Sequence, residues 1–382
     1  MSCPWQDFCG GCTFRSYTET EYREHKQREL QRILSKLPVV GLKFGTPVFV
    51  GDGARRRATF AFSKHKGQVI LGFNRHHSSE LINVENCPLL TPEINAILPE
   101  LRKLISDLCD LPFPSVKKHK RRKSPAERIE RGDVAVCAAD NGLDVVLEFD
   151  AEPELEQRMA VFEWGQCHDS VIRISHRRQA FAPAEPLLEK NKPQITIGGK
   201  SVYIPAGTFL QASAAGERAL TGLVLQYLGE TRGKIADLFC GVGTFSYPLA
   251  NLKGNQILAV DSSRELLEGF RRSVNRNMLT NIEIQERNLF KYPLEGKELL
   301  GYAALVFDPP RAGAAAQMKA VADLPPEVRP QKIIAVSCNP HSFVKDAEVP
   351  LGCGYELKEV TLVDQFSYSN HSELVALFTL NS

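Results

Sequence analysis

The second half of this chain alternates β-type apolar runs with helical stretches, and this alternation restricts the possible folds more than any other feature. From about residue 200 onward, a helical stretch at 214–228 precedes the strand-like run KIADLF, a glycine loop and the helical stretch TFSYPLA. The strand-like runs QILAVD, ALVFD, IIAVS and ELVALFTL follow. Strands that alternate with helices are typical of a parallel, doubly wound α/β sheet. The pattern therefore predicts an α/β domain over 198–382.

The first half of the chain has a different pattern. Residues 1–44 begin with a Cys- and Gly-rich stretch and continue into a helical one. Residues 45–197 mix short β-type runs with helical stretches near 92–108 and 152–163, which predicts one α+β module. We therefore expect three parts along the chain, with boundaries after residues 44 and 197.

Composition and charge exclude several classes of protein. The 382 residues carry a formal net charge of only +2, so binding to a polyanion has to come from local basic patches. No apolar run approaches the roughly 20 residues of a membrane helix, and MSCPWQDFCGGC lacks the pattern of a secretory signal. We expect a soluble, cytoplasmic monomer with no membrane partner. In that compartment, clustered cysteines indicate metal binding or catalysis rather than disulfides.

The loop after KIADLF has the residues of a cofactor site. Gly241 and Gly243 allow a tight turn that a ligand can approach closely, and Asp261 ends the next strand twenty residues after Gly241. A carboxylate there can accept hydrogen bonds from ribose hydroxyls. Ser246 replaces the third glycine of the dinucleotide motif, so the loop favours a nucleoside cofactor without pyrophosphate, such as S-adenosylmethionine. A nicotinamide dinucleotide site or a plain glycine turn is the alternative.

Two further strands end in residues that can carry chemistry. LVFDPPRAG presents Asp308, and IIAVSCNP presents Cys338, each where its strand ends. Because the carboxyl ends of parallel strands line one crevice, we expect Asp261, Asp308 and Cys338 to share a pocket. Glu373, just before the last strand, is placed to act as a base. The alternatives are an inert thiol at Cys338 and a solvated edge residue at Glu373.

The N-terminal cysteines form a second cluster. Cys3, Cys9 and Cys12 have the spacing C-x5-C-x2-C, and Cys87 is followed by a proline, as cluster ligands often are. Four thiolates suit zinc or a 4Fe–4S cluster, and the spacing does not separate the two. Unpaired surface thiols are the alternative. We expect a structural role for this centre.

Basic clusters offer contacts to nucleic-acid phosphates. Residues 117–123 contain six Lys or Arg, and Arg55–Arg57, Arg75–His77 and His176–Arg178 are smaller clusters. A solvated basic loop is the alternative for 117–123. None of these runs encodes a sequence preference.

Together, the motifs resemble those of the RNA uracil-5-methyltransferases, which form 5-methyluridine in rRNA and tRNA. The resemblance spans nearly the whole chain and rests on the segments CPWQDFCGGC, GFNRHHSSELINVENCPLL, ADLFCGVGTF, FDPPRAGA, VSCNP and DQFSYSNHSE. It implies a class I S-adenosylmethionine-dependent methyltransferase fold, Rossmann-like, behind an N-terminal α+β RNA-binding module. It also implies that no small N-terminal β-barrel RNA-binding domain is present, since the chain starts at the cluster cysteines.

The resemblance assigns roles to individual residues. The Cys338 thiolate adds to uracil C6, C5 then attacks the methyl group, and Glu373 removes the C5 proton before Cys338 is expelled. Asp308 matches a family position that contacts the uracil or the cofactor. The positions that match the family's cofactor or substrate contacts are Gln211, Phe239, Gly241, Gly243, Thr244, Asp261, Asn288 and Asp308.

The resemblance also favours iron–sulfur over zinc, and 23S rRNA over tRNA, because the rRNA enzymes of the family carry a 4Fe–4S cluster at Cys3, Cys9, Cys12 and Cys87. Two departures affect the substrate pocket. Ser213 stands where the family usually has Asn, and Phe366–Ser369 replaces the usual F-P-H-T.

Other functions account for fewer of these residues. A tRNA 5-methyluridine enzyme and an RNA cytosine-5 methyltransferase share the chemistry, but the latter usually has a cysteine beside the proline of the motif that contains Asp308. An exocyclic amine methyltransferase has no use for Cys338 or Glu373. From a different class, an iron–sulfur RNA-binding or redox-sensing protein without catalysis needs none of the catalytic residue types.

Overall fold

The computed structural model describes residues 3–113, 128–180 and 182–381. The chain divides into two compact units, and each is described by itself. The first unit consists of Met1–Ser16, Gly51–Ile195 and Ile204–Leu210. The second unit consists of Tyr17–Val50, Thr196–Tyr203 and Gln211–Ser382.

The elements alternate more regularly in the second half of the chain than in the first. Up to residue 203 the elements are α1 (Glu19–Leu34), β1 (Lys43–Phe44), β2 (Val48–Phe49), β3 (Arg57–His65), β4 (Gln68–Asn74), β5 (Leu81–Asn83), α2 (Pro92–Asp110), β6 (Arg131–Ala139), β7 (Gly142–Glu148), α3 (Leu155–Gln166), β8 (Val171–Arg177), β9 (Glu185–Glu189), β10 (Gln194–Ile197) and β11 (Lys200–Tyr203). After it they are α4 (Ala214–Leu228), β12 (Lys234–Leu238), α5 (Ser246–Ala250), β13 (Gln256–Asp261), α6 (Arg264–Arg276), β14 (Ile282–Glu286), β15 (Tyr302–Phe307), α7 (Ala315–Ala322), β16 (Lys332–Ser337), α8 (Pro340–Gly352), β17 (Tyr355–Asp364) and β18 (Glu373–Leu380), with short 3-10 helices at Gly296–Leu299 and Pro326–Val328.

The second unit is built on the predicted doubly wound sheet. Its strand order is β1-β17-β18-β16-β15-β12-β13-β14, and β2 also pairs with β17. The pairs from β14 to β16 are parallel, and β18 runs antiparallel to both β16 and β17. The chain winds from β12 to β14 in one direction and from β15 to β16 in the other, so the switch point lies between β12 and β15. This confirms the predicted doubly wound α/β sheet, here with an antiparallel strand β18.

The first unit contains the predicted α+β structure. Its sheet has the order β5-β4-β3-β6-β7-β8-β9. The pairs are antiparallel except β7 and β8, which are parallel and are joined through α3, as a parallel pair requires a crossover. The core is apolar and is formed by strand residues such as Phe60 and Val145 together with one face of α2, including Leu98 and Leu101.

The N-terminal helix belongs to the second unit and not to the cysteine loop that precedes it. The apolar stripe of α1, Leu30, Ile33 and Leu34, is buried in the core of the second unit. Thr18 and Glu21 form a capping box at its start. We expected residues 1–44 to form one part, but the loop 1–16 belongs to the first unit and α1 belongs to the second. The physical reason is that the apolar stripe of α1 is buried in the core of the doubly wound sheet.

In the three described ranges, no helix has the length and apolar character needed to cross a membrane.

A buried ion pair in the first unit gives a stability prediction. Arg173 on β8 donates to Asp144 on β7 at 2.8 and 2.7 Å, and both side chains are almost fully buried. Asp144→Ala removes the carboxylate that accepts two hydrogen bonds from the buried guanidinium, so we expect a loss of about 3–5 kcal/mol in the free energy of unfolding, measured by chemical denaturation.

The matched control is the exposed pair formed by Arg178 and Asp150 at 2.5 Å. Asp150→Ala is expected to cost less than about 1 kcal/mol, because solvent screens exposed charges. Equal losses for the two variants would contradict the prediction.

Candidate active site

The loop after β12 is shaped to leave room for a ligand. Phe239 has a φ of 65°, Gly241 of 55° and Gly243 of 94°, so the chain turns sharply as it leaves the sheet. A Cβ atom on Gly243 would lie 2.5 Å from the ring of Phe270, so this position excludes a side chain. Apart from its two chain neighbours, no atom of the residues that the structure describes lies within 4 Å of a Cβ built on Gly241. The backbone at Gly241 is therefore open to a bound molecule.

Asp261 holds this loop from the next strand. Its carboxylate accepts hydrogen bonds from the Gly241 N–H at 3.0 Å and from the Ser263 N–H at 2.9 Å. The predicted ribose-binding residue thus lies against the glycine loop, as the spacing indicated. It also organises the loop, a role that the sequence did not show.

An aromatic edge lies beside the same loop. The rings of Phe239 and Phe290 are 5.4 Å apart, and Phe290 is 47% exposed. Asn288 accepts from the backbone N–H groups of Phe290 and Lys291 and so shapes the turn that carries Phe290. Thr244 is half-buried in the turn before α5. Phe290 is a candidate cofactor-contacting residue that sequence reasoning missed, since a lone aromatic residue in a loop gives no signal.

Asp237 is a second residue that sequence reasoning missed. It is fully buried on β12, and its Oδ2 accepts from the Ser246 hydroxyl at 2.5 Å. Within the described ranges, no donor reaches its Oδ1. Burial raises the pKa of Asp237 to about 7, with the negative charges of Asp308 and Asp261 adding to the effect. The sequence signal that could have identified Asp237 is a carboxylate inside the otherwise apolar strand KIADLF. The three carboxylates favour a cationic ligand at this loop.

Cys338 follows the end of β16, and its turn is fixed by the next residue. Asn339 caps α8 by accepting from the His341 N–H at 3.1 Å, and its side-chain amide donates to the Arg311 carbonyl at 3.1 Å. Pro340 occupies the first position of α8, where a missing N–H costs nothing. The Cys-Asn-Pro sequence therefore positions the thiol at the tip of the strand.

The electrostatics of Cys338 show which groups surround it. The pKa of the thiol is raised to about 11, mainly by burial and also by the charges of Asp308 and Glu373, and Arg311 opposes the increase. Cys338 therefore interacts with both Asp308 and Glu373. The raised pKa disfavours the thiolate at neutral pH.

A chain of polar side chains joins Asp308 to the predicted base, Glu373. Gln211 donates to Asp308 at 3.2 Å, Gln365 donates to Gln211 at 2.6 Å, and Gln365 also donates to Glu373. The Glu373 side chain is buried and is not a solvated edge residue. Burial raises the pKa of Asp308 to about 7, and the hydrogen bond from Gln211 opposes that shift. Gln365 was not singled out from the sequence.

A cavity of about 250 Å³ opens beside Cys338. Arg311 and His371 line it on one side, and the Arg311 Nη2 lies 3.0 Å from the His371 Nε2. Leu30 and Ile33 of α1 form an apolar wall. The nucleophile is therefore accessible from a cavity that has both cationic and apolar walls.

The two departures from the family pattern have structural roles. Ser213 caps α4 by accepting from the Gly216 N–H at 2.9 Å. In the altered loop, the Ser367 hydroxyl donates to the Val50 carbonyl at 2.5 Å, and the Tyr368 N–H donates to the Tyr22 hydroxyl at 2.7 Å. The loop before Glu373 is therefore anchored to Val50 and to Tyr22 of α1.

The four N-terminal cysteines lie in one neighbourhood of the first unit. Cys9 and Cys12 are buried, and Cys3 and Cys87 are half-buried. The pKa of Cys12 is raised to about 12, mainly by burial and also by the charges of Cys87, Cys9 and Cys3. Yet over the described ranges, no three His, Cys, Asp or Glu side chains are arranged to hold a metal ion. The geometry alone does not support the predicted metal centre.

The basic run 117–123 lies outside the described residues. Several residues of the smaller clusters have intramolecular contacts. The Arg57 guanidinium lies 4.2 Å from the centre of the Phe209 ring, and Arg177 and Arg178 pair with acidic residues. Arg56 is buried. These arginines are thus partly engaged within the protein.

Comparisons with known proteins show what this chain is similar to. The family model described as tRNA (Uracil-5-)-methyltransferase matches residues 191–380. An uncharacterized RNA methyltransferase of Brucella suis biovar 1 is 36% identical over 379 residues, covering 99% of this chain and 84% of the relative. The 23S rRNA (uracil(1939)-C(5))-methyltransferase RlmD of Thiobacillus denitrificans is 30% identical over 388 residues, covering 98% and 84%.

The fold is also found in a solved structure. The tRNA (uracil-54, C5)-methyltransferase of Pyrococcus abyssi, crystallised in complex with S-adenosyl-L-homocysteine, has a TM-score of 0.72. It is 21% identical, and the match covers 99% of this chain and 87% of that one. The similarity of the whole chain to these relatives shows that it belongs to the RNA uracil-C5-methyltransferase family.

Proposed function

We propose that this RNA uracil-C5 methyltransferase acts on 23S rRNA, with Cys338 as the nucleophile and Glu373 as the base. The observation that carries the residue assignment is the electrostatic interaction of the Cys338 thiol with both Asp308 and Glu373. A nucleophile that lines a cavity and interacts with a base is what C5 methylation of a weakly nucleophilic ring requires.

The reaction follows from the chemistry of uracil. Addition of the Cys338 thiolate to C6 turns C5 into an enolate carbon. S-adenosylmethionine, when bound, supplies an electrophilic methyl group, which C5 accepts. Glu373 then takes the C5 proton, the electron pair of that C–H bond restores the C5–C6 double bond, and the C6–S bond breaks to release Cys338. Asp308 and Gln211 are proposed to contact the uracil or the cofactor.

The glycine loop fits a cationic nucleoside cofactor. Gly241 leaves the backbone open, and the orphaned Oδ1 of buried Asp237 lies in a site with two further carboxylates. S-adenosylmethionine carries positive charge at its sulfonium and ammonium groups, so it offsets their repulsion. The residues that we propose to hold it are Gln211, Phe239, Gly241, Gly243, Thr244, Asp261, Asn288 and Asp308.

The choice of 23S rRNA rests on the relatives. The relative from Thiobacillus denitrificans is named for 23S rRNA, whereas the solved structure named for tRNA is only 21% identical to this chain. We propose that the α+β unit and the basic run 117–123 bind the RNA. Because ribosomal RNA is a cytoplasmic substrate, we propose a cytoplasmic enzyme, acting as a monomer.

We also propose a 4Fe–4S cluster on Cys3, Cys9, Cys12 and Cys87. Support comes from the interaction of these four thiols and from the hydrogen bond that Cys9 Sγ accepts from the Gly11 N–H at 3.4 Å. Four thiolates without a cation repel one another, which a cluster relieves. Its role is structural, and no step of the reaction passes through it.

The first prediction concerns the nucleophile. RNA with 5-fluorouridine at the target position should trap the wild-type enzyme, because fluorine at C5 cannot leave as a proton and the C6–S bond persists. Cys338→Ala should give no adduct on a denaturing gel. Cys353→Ala, which removes a half-buried thiol after α8, should give the wild-type amount. An adduct in Cys338→Ala would exclude the assignment.

The second prediction concerns the pKa of Cys338. Since burial and two carboxylates raise that pKa to about 11, the thiolate fraction in the free enzyme increases about tenfold per pH unit between pH 7 and 10. Alkylation of Cys338 by iodoacetamide, followed by peptide mass spectrometry, should accelerate accordingly. At pH 7 the exposed Cys167 should react much faster. Equal rates at pH 7 contradict the raised pKa.

The third prediction concerns the cluster. Anaerobically purified protein should contain about four iron and four sulfide per chain, and Cys12→Ser should lower both. Cys109→Ser removes a buried thiol of the first unit outside the set and should leave the iron content unchanged. Zinc in place of iron, or no metal, rejects the cluster.

A further inference from the structure

We propose that Gln365 is a positioning residue for the reaction, whose amide orients the Glu373 carboxylate and the Gln211 amide together. The inference rests on the proposed roles of Cys338 and Glu373. It concerns a residue to which neither the sequence motifs nor the proposed mechanism gives a role.

The geometry of the side chains carries the proposal. Gln365 follows the last residue of β17 and is 3% exposed. Its Nε2 donates to the Gln211 Oε1 at 2.6 Å and to the Glu373 Oε2. The Gln211 Nε2 in turn donates to the Asp308 Oδ2 at 3.2 Å. One amide therefore contacts the base directly and reaches Asp308 through a second amide.

The direction of these hydrogen bonds is fixed by chemistry. The oxygen atoms of a carboxylate accept hydrogen bonds from an amide NH2 group, and carboxyl groups stand at both ends of the chain, at Glu373 and Asp308. Each glutamine must therefore turn its NH2 group toward the carboxylate that it meets. Reversing Gln365 would bring its carbonyl oxygen against Glu373 and its NH2 toward the backbone N–H of Ser213, which now donates to the Gln365 Oε1 at 3.4 Å. Only the observed orientation satisfies all partners.

The start of α4 makes room for this amide and restricts it. A Cβ atom on Gly216 would lie 2.5 Å from the Gln365 Oε1 and 2.7 Å from the Gln365 Cβ, closer than real contacts allow. Glycine at this helix position therefore permits the glutamine to pack against the backbone. A side chain so enclosed has little freedom to rotate, which is what holding a base in place requires.

The consequence for the reaction is specific to one step. Glu373 acts after Cys338 has added to C6 and C5 has accepted the methyl group. Loss of the donor from Gln365 misplaces the carboxylate and removes a charge-assisted hydrogen bond. Removal of the C5 proton then slows, whereas the addition of the thiolate does not need that contact. The enzyme should therefore stall with the methylated base still bound to sulfur.

The test uses Gln365→Met in the full chain, with RNA that contains ordinary uridine and with S-adenosylmethionine labelled in its methyl group. Methionine keeps the length and the apolar contacts but cannot donate. We expect kcat to decrease about 10- to 100-fold, with the KM for RNA changed little. We also expect labelled protein–RNA adduct on a denaturing gel, where the wild type leaves almost none.

The matched control is Gln317→Met. Gln317 is a buried glutamine of α7 whose amide accepts from the Leu294 N–H at 2.9 Å and donates to the Leu294 carbonyl at 2.8 Å. Its substitution should lower thermal stability by a similar amount but leave kcat unchanged and accumulate no adduct. Gln365→Glu, which keeps the shape and places a second carboxylate against Glu373, should reduce kcat at least as much as Gln365→Met. It also provides the readout if the methionine variant does not fold.

Wild-type kcat and no adduct in the folded Gln365 variants overturn the proposal, as does an equal loss of kcat in Gln317→Met. The 5-fluorouridine experiment separates this failure from failure of the proposed function. If the wild type gives no adduct with 5-fluorouridine RNA, the nucleophile assignment fails and this inference fails with it. If the wild type is trapped and the Gln365 variants turn over normally, only the inference fails.

Discussion

The antiparallel pairing of β18 with β16 is the constraint on which the rest of the site depends. Ser337, the last residue of β16, pairs with Leu374, the second residue of β18. Because the two strands run in opposite directions, the end of one lies beside the beginning of the other. Cys338 follows the first, and Glu373 begins the second. A parallel β18 would have placed that carboxylate at the opposite edge of the sheet, away from the thiol.

The parallel part of the sheet adds the remaining groups to the same edge. Leu238 pairs with Phe307, so the exits of β12 and β15 lie side by side, and the Asp308 N–H donates to the Leu238 carbonyl at 3.2 Å. This brings together carboxylates that repel one another and are costly to bury, as the raised pKa values of Asp237 and Asp308 show. Such an arrangement is stable only with hydrogen-bond donors or a cation. The protein supplies amide and hydroxyl donors, and the proposed cofactor supplies positive charge.

Helix α1 stabilises the loop that leads to the base. Lys26, almost fully buried, donates to the Ser369 carbonyl at 3.1 Å and lies 3.5 Å from Asp364. Tyr22 donates to the same Asp364 at 2.6 Å. Burial lowers the pKa of Lys26, and the charge of Asp364 opposes that shift. The two buried charges therefore compensate each other only while the side chains stay close together. A helix distant in sequence thereby fixes the residues immediately before Glu373.

Local sequence was enough to predict the doubly wound sheet and the residues at its strand ends. The runs QILAVD and ELVALFTL coincide with β13 and β18, and the helical stretch 214–228 coincides with α4, because periodicity and turn residues act within a few positions. It was also enough to propose three reactive residues. Asp308 and Cys338 directly follow predicted strands, and Glu373 comes where the last predicted strand begins. The grouping of residues 1–44 was not predictable in this way, because burial of α1 depends on a sheet formed more than two hundred residues later.

Tertiary structure alone decided how the side chains meet. Gln365 contacts Gln211 across more than 150 positions of sequence, and no spacing rule relates the two. The raised pKa of the buried Asp237 and the intramolecular partners of the basic clusters also result from the tertiary structure. Hydrogen bonding and desolvation depend on which residues the fold places next to one another. The sequence therefore determined the fold and the types of reactive group, and the folded structure determined their protonation, their orientation and the amide that connects them.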